Sequence, residues 1–400
     1  MRFAITTLGC KVNQYESQLI REALLQAGFE EREFPLPGAD LYIVNTCTVT
    51  HRSDADDRKL IRKALGFGAR LIVTGCQASV YPEGIREISE GIEVVSFEDL
   101  PGALGVPVPR HITTFGGHSR AFVNVQQGCS NNCTFCIVPR ARGVPRSRPL
   151  EEILREVECL YASGFREIIL TGINIGLYKG GAAGLLKGIL TSPMPRIRIS
   201  SIEPWTVEDG LIDLMAGEPR ICRHLHLPLQ SGSDAILKSM GRPYRAAYFR
   251  DLVSRIASAV PGVAIGSDVM VGFPGEGEED FRQTFELVEA LELAYLHVFP
   301  YSKRPGTPAA SFPGEVDPRV ARARACSLRS LSHGKRNAFI ASRIGFEEEV
   351  IVTHSHKGFF RGLTSNYIKV EAPGAAEVNE IVRVVLHEER DGYASGRLCG

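Results

Sequence analysis

Tryptophan occurs once and methionine five times in 400 residues, and neither sign of charge is in excess, with 46 Lys and Arg against 46 Asp and Glu. Zero net charge removes any bulk attraction to nucleic acid or an anionic membrane, so a polyanionic partner must be met by local patches. No apolar run approaches the roughly 18 residues of a membrane span. The chain opens directly into strand-like RFAITTL, without a basic start and a long apolar stretch. A cytosolic protein lacking a signal peptide is therefore expected. No G-K-[ST] follows the glycines of KGGAAG (179–184), which excludes a phosphate loop there.

What is present is a globular composition, 44% hydrophobic and 23% charged. The length exceeds one ordinary core, so two or three domains are expected. Ten cysteines in a reducing compartment point away from disulfides and, where clustered, toward metal or catalysis. Cys159, Cys222, Cys326 and Cys399 have no ligand-like spacing and read as core or incidental residues.

Residues 1–110 alternate apolar strands with amphipathic helices, the pattern of βαβ units and a parallel sheet. RFAITTL, LYIVN and RLIVT each run out onto a cysteine: Cys10, Cys47 and Cys76. Ligands of open parallel sheets gather beyond the carboxyl ends of the strands, so these three thiols are expected to converge on one sheet edge. The Gly- and Pro-rich segment 102–118 reads as a linker. A second alternating series, 119–340, carries strands at 121–126, 167–173, 196–202, 224–229, 263–272 and 295–302. Six βα units are too few for a closed eight-stranded barrel and fit an open (β/α)6 partial barrel, with its site at the strands' carboxyl ends. Residues 318–343 read as a basic helix, and 341–400 as a small antiparallel β-barrel.

The most specific motif is QGCSNNCTFCIVPRARG, which sets Cys129, Cys133 and Cys136 in a C-x3-C-x2-C spacing after the first barrel strand. A zinc site closes with four ligands, and no fourth Cys or His lies nearby. A [4Fe–4S] cluster also takes four thiolates, so three leave one iron open. This spacing, with Phe135 before the last cysteine, resembles the radical S-adenosylmethionine superfamily, in which the open iron chelates that cofactor. DVMVGFPGE (268–276) resembles the family segment beside the cofactor's adenine, so Val271, Gly272 and Pro274 are expected there. Glu203, Gln230 and Ser231 at strand ends are expected cofactor or substrate contacts, with satisfied strand-end polar groups as the alternative.

The two three-cysteine sets and the terminal barrel together resemble the methylthiotransferase family over nearly the whole chain. That resemblance implies a second [4Fe–4S] cluster on Cys10, Cys47 and Cys76, a TRAM RNA-binding module at the C-terminus, and insertion of a methylthio group by radical chemistry. S-adenosylmethionine, a one-electron reductant and a sulfur donor are implied with it. The family modifies adenosine 37 of tRNA, bearing an isopentenyl or a threonylcarbamoyl group, or a ribosomal-protein aspartate. TLGCKVNQYES, NTCTVT, LTGINIGLY and RISSIEP resemble most the threonylcarbamoyladenosine branch. An RNA-associated iron–sulfur scaffold without turnover is the non-enzymatic alternative. For RNA, Arg140, Arg142, Arg146, Arg148 and the basic helix suit phosphate contact. Phe359, Phe360 and Tyr367, beside Lys357, Arg361 and Lys369, suit base stacking, unless some of these aromatics form barrel core. Beyond Ile344 acidic residues outnumber Lys and Arg, so any RNA face there must be local.

Overall fold

Leu41–Val44 and Leu71–Val73 are buried without alternation, as strands covered on both faces must be. The structure, a computed structural model, describes residues 1–399. Its first unit runs β1 (Arg2–Thr7), α1 (Lys11–Gln26), β2 (Glu30–Glu31), β3 (Leu41–Thr46), α2 (His51–Leu65), β4 (Arg70–Gly75), α3 (Cys76–Val80), α4 (Pro82–Arg86), β5 (Ile92–Val94) and α5 (Leu100–Leu104). The sheet is wholly parallel in the order β2-β1-β3-β4-β5. Tyr42, Val44, Leu71 and Val73 pack on Ile61 and Ala64 of α2, while Phe3, Ile5, Ile43 and Ile72 pack on Ile20 and Leu24 of α1. The sheet thus lies between two helical layers.

The second unit is β6 (Ala121–Gln127), α6 (Val138–Arg142), β7 (Arg146–Ser147), α7 (Leu150–Ala162), β8 (Glu167–Gly172), α8 (Gly181–Ile189), β9 (Arg196–Ile199), α9 (Asp209–Gly217), β10 (His224–His226), α10 (Asp234–Ser239), α11 (Ala246–Ala259), β11 (Ala264–Val271), α12 (Glu278–Ala290), β12 (Tyr295–Pro300) and α13 (Pro318–Ala341). The runs β7-β6-β8-β9 and β10-β11-β12 are joined by parallel bridges Ile197–Ile221 and Ser201–His226. Six parallel strands, β6-β8-β9-β10-β11-β12, therefore curve into an open barrel, and the short β7 adds antiparallel to the edge of β6.

Segment 102–118 is more than a linker. Its first residues belong to α5, Ile112 and Phe115 are buried in the barrel core, and Glu22 accepts the N–H groups of Thr113 and Thr114 at 2.9–3.1 Å. Gly and Pro erase the periodicity there, yet two apolar side chains and one carboxylate suffice to strap the segment down.

The last unit, β13 (Glu347–His356), β14 (Phe359–Thr364), β15 (Lys369–Pro373), β16 (Ile381–Arg390) and β17 (Tyr393–Leu398), closes in the order β13-β14-β15-β17-β16. One pair, β15–β17, is parallel, so the barrel is antiparallel except at that seam. Phe360 is core, as the barrel alternative allowed. Tyr367 is not a free stacking aromatic: its ring lies on His224 at 4.4 Å and on Tyr295 at 5.8 Å, at the amino end of the large barrel. The basic helix is also largely spent on structure. Arg324 pairs with Glu276, Arg343 with Glu348, and Arg329, Lys335 and Arg336 donate to backbone carbonyls.

Glu167 joins the two barrels. It lies fully buried between Arg196 (2.9 Å) and Arg198 (2.8 Å), which also donate to the carbonyls of Leu363, Thr364 and Ser365. Burial alone would raise its carboxyl pKa, but Arg198 and Arg196 hold it down to about 2. A depressed carboxyl contributes stability above its unfolded pKa and loses it as pH falls through the folded one. Glu167→Ala strands two buried guanidinium groups and is expected to cost about 3–5 kcal/mol in urea unfolding. The wild type should shed this advantage between pH 4.5 and about 2; equal midpoints at neutral pH would contradict the assignment.

Candidate functional site

Each N-terminal cysteine follows a strand closely, Cys10 at the start of α1, Cys47 directly after β3 and Cys76 as the first residue of α3, and two of them follow a glycine the geometry requires. Gly9 has φ +111°, and a Cβ there would stand 3.0 Å from Cys47 Cβ and 3.2 Å from its sulfur. Gly75 has φ +93°, and a Cβ there would meet Asn45 Oδ1 at 2.3 Å. Close backbone approach therefore brings β1, β3 and β4 to a common point, with Cys10, Cys47 and Cys76 around it. Asn13, on the first turn of α1, fixes the arrangement. Its Nδ2 donates to Thr46 O at 2.8 Å, and its Oδ1 accepts from Cys10 Sγ at 3.3 Å. Asp57 accepts the Cys47 N–H at 3.0 Å, and burial pushes the Asp57 carboxyl up to about 8.

The second set lies on the loop after β6. Gly128, at φ +73°, lets this loop pass Val144, whose carbonyl would be 2.0 Å from any Cβ. Cys129 Sγ accepts from Asn131 N at 3.4 Å, and Cys133 Sγ accepts from Arg242 Nη1 at 3.4 Å. Arg242 is buried, lies 4.5 Å over the Trp205 ring and is bound by both oxygens of Glu203. Phe135 meets Phe273 edge-on at 6.5 Å, lining the same end of the barrel.

Arg142 connects the two sets. It lies on α6, immediately beyond Cys136, yet reaches into the N-terminal unit. There it donates to Cys76 Sγ at 3.2 Å and Asn13 Oδ1 at 2.9 Å, and pairs with buried Glu16. Around this contact, Arg304 pairs with Asp54, Tyr81 donates to Pro305 O at 2.8 Å, and His51 N donates to Ser302 Oγ at 3.0 Å. The carboxyl edge of the parallel sheet thus closes over the carboxyl end of the barrel. Arg142, six residues beyond Cys136, thereby ties the second thiol set to the first through its bond to Cys76 Sγ.

The donors suit iron–sulfur clusters. Each set offers three soft thiols. Burial pushes Cys76 and Cys136 up to about 12, so a free thiolate is costly at either position and a metal bond would offset that cost. Buried polar atoms without a partner occur beside them: Glu16 Oε2 and Gln77 Oε1 at one set, Asn131 Nδ2 and Asn174 Oδ1 at the other.

Among the remaining expected contacts, Gln230 is buried with φ +69° and its Oε1 unpaired, a strained polar residue on the barrel wall. Ser231 Oγ is occupied by Thr284 at 3.2 Å, and the Gly272 N–H by Glu276. A Cβ on Gly272 would stand 2.7 Å from Ala321, so that glycine serves packing against α13. Val271 lies at the end of β11, and Pro274 follows Phe273, which is fully buried. Of the arginines expected to meet phosphate, Arg142 and Arg148 are withdrawn, the latter into a pair with Glu156 at 2.6 Å. Burial selects them for carboxylate partners inside the protein. Arg140 and Arg146 remain exposed. Sequence reasoning missed Arg242, Asn13 and Glu16. The last two stand within the quoted TLGCKVNQYES, but nothing in the string reveals that they answer an arginine from another unit.

Deeper in the barrel, His226 Nε2 lies 3.0 Å and His297 Nδ1 3.4 Å from Asp268 Oδ1, and the two imidazoles stack at 4.9 Å. No spacing signalled this trio, because its members come from three strands.

Residues 123–288 match the Radical SAM superfamily, and residues 2–96 match the Uncharacterized protein family UPF0004. The chain is 37% identical to the threonylcarbamoyladenosine tRNA methylthiotransferase MtaB of Bacillus subtilis (strain 168), over 98% of this chain and 95% of that one. It is 35% identical to the MtaB of Aquifex aeolicus (strain VF5), over 96% and 100%. It is 32% identical to the tRNA-2-methylthio-N(6)-dimethylallyladenosine synthase of Maricaulis maris (strain MCS10), over 100% and 97%. The radical S-adenosylmethionine methyltransferase TsrM of Kitasatospora setae shares the fold, with a TM-score of 0.57 at 19% identity over 77% of each chain.

Gly75→Ala should disrupt the N-terminal thiol site alone, since a left-handed φ and a clash with Asn45 and Thr46 converge there. Iron bound after anaerobic reconstitution is expected to fall to roughly half that of wild type, as one of two equal clusters is lost. Full iron content in the variant would contradict this.

Proposed function

Because the chain belongs to the radical S-adenosylmethionine tRNA methylthiotransferases, we propose that it methylthiolates C2 of N6-threonylcarbamoyladenosine at position 37 of tRNA. The observation that carries the reading is the tie between two incomplete thiol sets on separate units: Arg142, on the short helix beyond Cys136, donates to Cys76 Sγ and Asn13 Oδ1. An RNA-binding scaffold has no need of that geometry. The enzymatic names of full-length relatives also decide against the scaffold. Two features favour the threonylcarbamoyl arm over an isopentenyl one. Several of the most similar relatives carry that substrate in their names, and the barrel interior presents Asp268, His226 and His297 where an apolar arm would want hydrocarbon.

Cys129, Cys133 and Cys136 would hold the cluster that binds S-adenosylmethionine, and Cys10, Cys47 and Cys76 the auxiliary one. When bound, these groups supply one-electron chemistry at a C–H bond and the sulfur and methyl group added there. A one-electron reductant and a sulfur donor are required as partners. The chain's own work is positioning. Phe135, Gln230, Val271 and Pro274 would line the cofactor, while Gly272 lets the chain turn there and packs on Ala321 of α13. Glu203 and Ser231 act one step removed, through Arg242 and Thr284. Arg242 and Arg142 each place a fixed positive charge against a cysteine sulfur, Cys133 and Cys76, which favours the thiolate form.

For the RNA, a groove of about 560 Å³ runs between segment 117–120 and the small barrel. His118, Arg120, His354, Arg361 and Lys369 line it, with Glu371 as the lining acid. Phe359 is 56% exposed nearby, a free aromatic for base stacking. This narrows the RNA face to one side of a module that is acidic as a whole.

Two variants and one strain test the reading. Cys10→Ala should lose roughly half the iron yet still cleave S-adenosylmethionine to 5′-deoxyadenosine, whereas Cys133→Ala should not cleave it at all. Transfer RNA from a deletion strain should lack 2-methylthio-N6-threonylcarbamoyladenosine by nucleoside mass spectrometry. Unchanged nucleosides, in a strain without a paralogue, would reject the substrate.

A further inference from the structure

Along β12, the side chains facing the barrel interior form a ladder. Tyr295 stands at the floor against His224 and Tyr367, His297 follows, and Phe299 reaches the cluster of Phe135, Phe273 and Tyr301 at the cofactor end. The middle rung is where three strands converge. Asp268 of β11 lies directly across from His297 in the register of the two strands, and His226 of β10 is paired with Gly266, two residues before Asp268. Side chains alternate along a strand, so positions 266 and 268 share a face and His226 is the diagonal neighbour of Asp268. Gly266 adds no side chain of its own. A Cβ there would stand 2.2 Å from Tyr295 Cζ, so the tyrosine ring occupies that place.

Three donor atoms meet on this rung. His226 Nε2, Asp268 Oδ1 and His297 Nδ1 all lie within 4.8 Å of one another, and Oδ1 is 3.0 Å from the first nitrogen and 3.4 Å from the second. Metal bonds of about 2.1 Å put adjacent ligands about 3.0 Å apart in an octahedron and about 3.4 Å apart in a tetrahedron. Both measured separations fall in that interval, and 3.4 Å is longer than the N–H···O bond of about 2.7–3.2 Å. The His297 side chain is 63% exposed, so an ion pair with Asp268 in open solvent gives little reason to hold a second imidazole on the same oxygen. Behind the donors, the Tyr295 hydroxyl lies 3.4 Å from His226 Nδ1 and 2.8 Å from His224 Nε2. That is the support a metal-bound histidine has, its second nitrogen held by an outer partner.

We propose that His226, Asp268 and His297 form a mononuclear site for a divalent first-row ion of the zinc class, built without any cysteine. Two imidazole nitrogens and one carboxylate oxygen are too rich in nitrogen for magnesium or calcium, and they lack the sulfur that selects copper(I) or an iron–sulfur cluster. Three protein ligands of this kind characterise sites that keep a coordination position open. One carboxylate against a divalent ion leaves one net positive charge, and the open position lies on the side of the exposed His297. It takes an oxygen donor, from water or from an anionic group of whatever enters the barrel. The register of β10 and β11 fixes His226 and Asp268, so His297, free on its outer side, is the arm that closes on the ion. The site does not depend on which arm the substrate adenosine carries.

The test dialyses the fully reconstituted holoenzyme against Zn²⁺ under anaerobic conditions. Metal analysis should find one zinc per chain in addition to the full complement of iron. Zinc-edge X-ray absorption should show only nitrogen and oxygen neighbours at about 2.0–2.2 Å, with no sulfur at about 2.3 Å. His297→Ala and Asp268→Asn should each weaken zinc binding by roughly tenfold or more, since loss of even an outer partner of a metal ligand costs that much. Iron content serves as the check on folding, and the exposed His297 can be truncated without opening a cavity in the core. Zinc that binds through sulfur, that binds both variants as tightly as wild type, or that does not bind at micromolar free metal would overturn the site and leave a hydrogen-bonded trio only.

Discussion

The guanidinium of Arg142 is the contact on which the rest of the structure turns. It leaves the barrel on the short helix after Cys136 and ends against Cys76, Asn13 and Glu16 of another unit. Few side chains can hold three such partners at once. A planar fork with five donors can face a sulfur, an amide oxygen and a carboxylate together, where a lysine would offer a single point charge. Its burial is tolerable only because Glu16 is buried with it. The pair therefore works as a registration key: it is costly unless both units are in place, which favours the one docking that brings the two thiol sets together.

The opposite end of the barrel is built on the same logic. Glu167 neutralises Arg196 and Arg198 and lets them reach the backbone of the small barrel. Tyr367 fills the remaining floor against His224 and Tyr295. With the floor closed and the N-terminal sheet capping the top, the interior is left to a polar ladder whose midpoint, His297, stays exposed. A reaction that proceeds through a carbon radical needs such enclosure, because the protein must exclude other hydrogen donors while it orients one C–H bond.

Much of this was legible in the residues. Strands that run unbroken in Leu, Ile and Val declare a doubly covered parallel sheet, and the rule that ligands gather beyond strand ends put Cys10, Cys47 and Cys76 together. The C-x3-C-x2-C spacing is local, so it survives being read as a string. What stayed hidden was every interaction between units. PRARG reads as a phosphate-binding run, because sequence gives the charge of Arg142 and not its burial. Tyr367 reads as a base-stacking aromatic, because docking of the small barrel cannot be seen from within it.

The central claim is that two iron–sulfur sites share one chamber, and electron paramagnetic resonance of the fully reduced holoenzyme tests it most directly. Two reduced clusters that face each other across a substrate-sized space should broaden one another's signals by dipolar coupling. That broadening should vanish in either single-cluster variant. A wild-type spectrum equal to the sum of the two single-cluster spectra would place the sites apart and contradict the account.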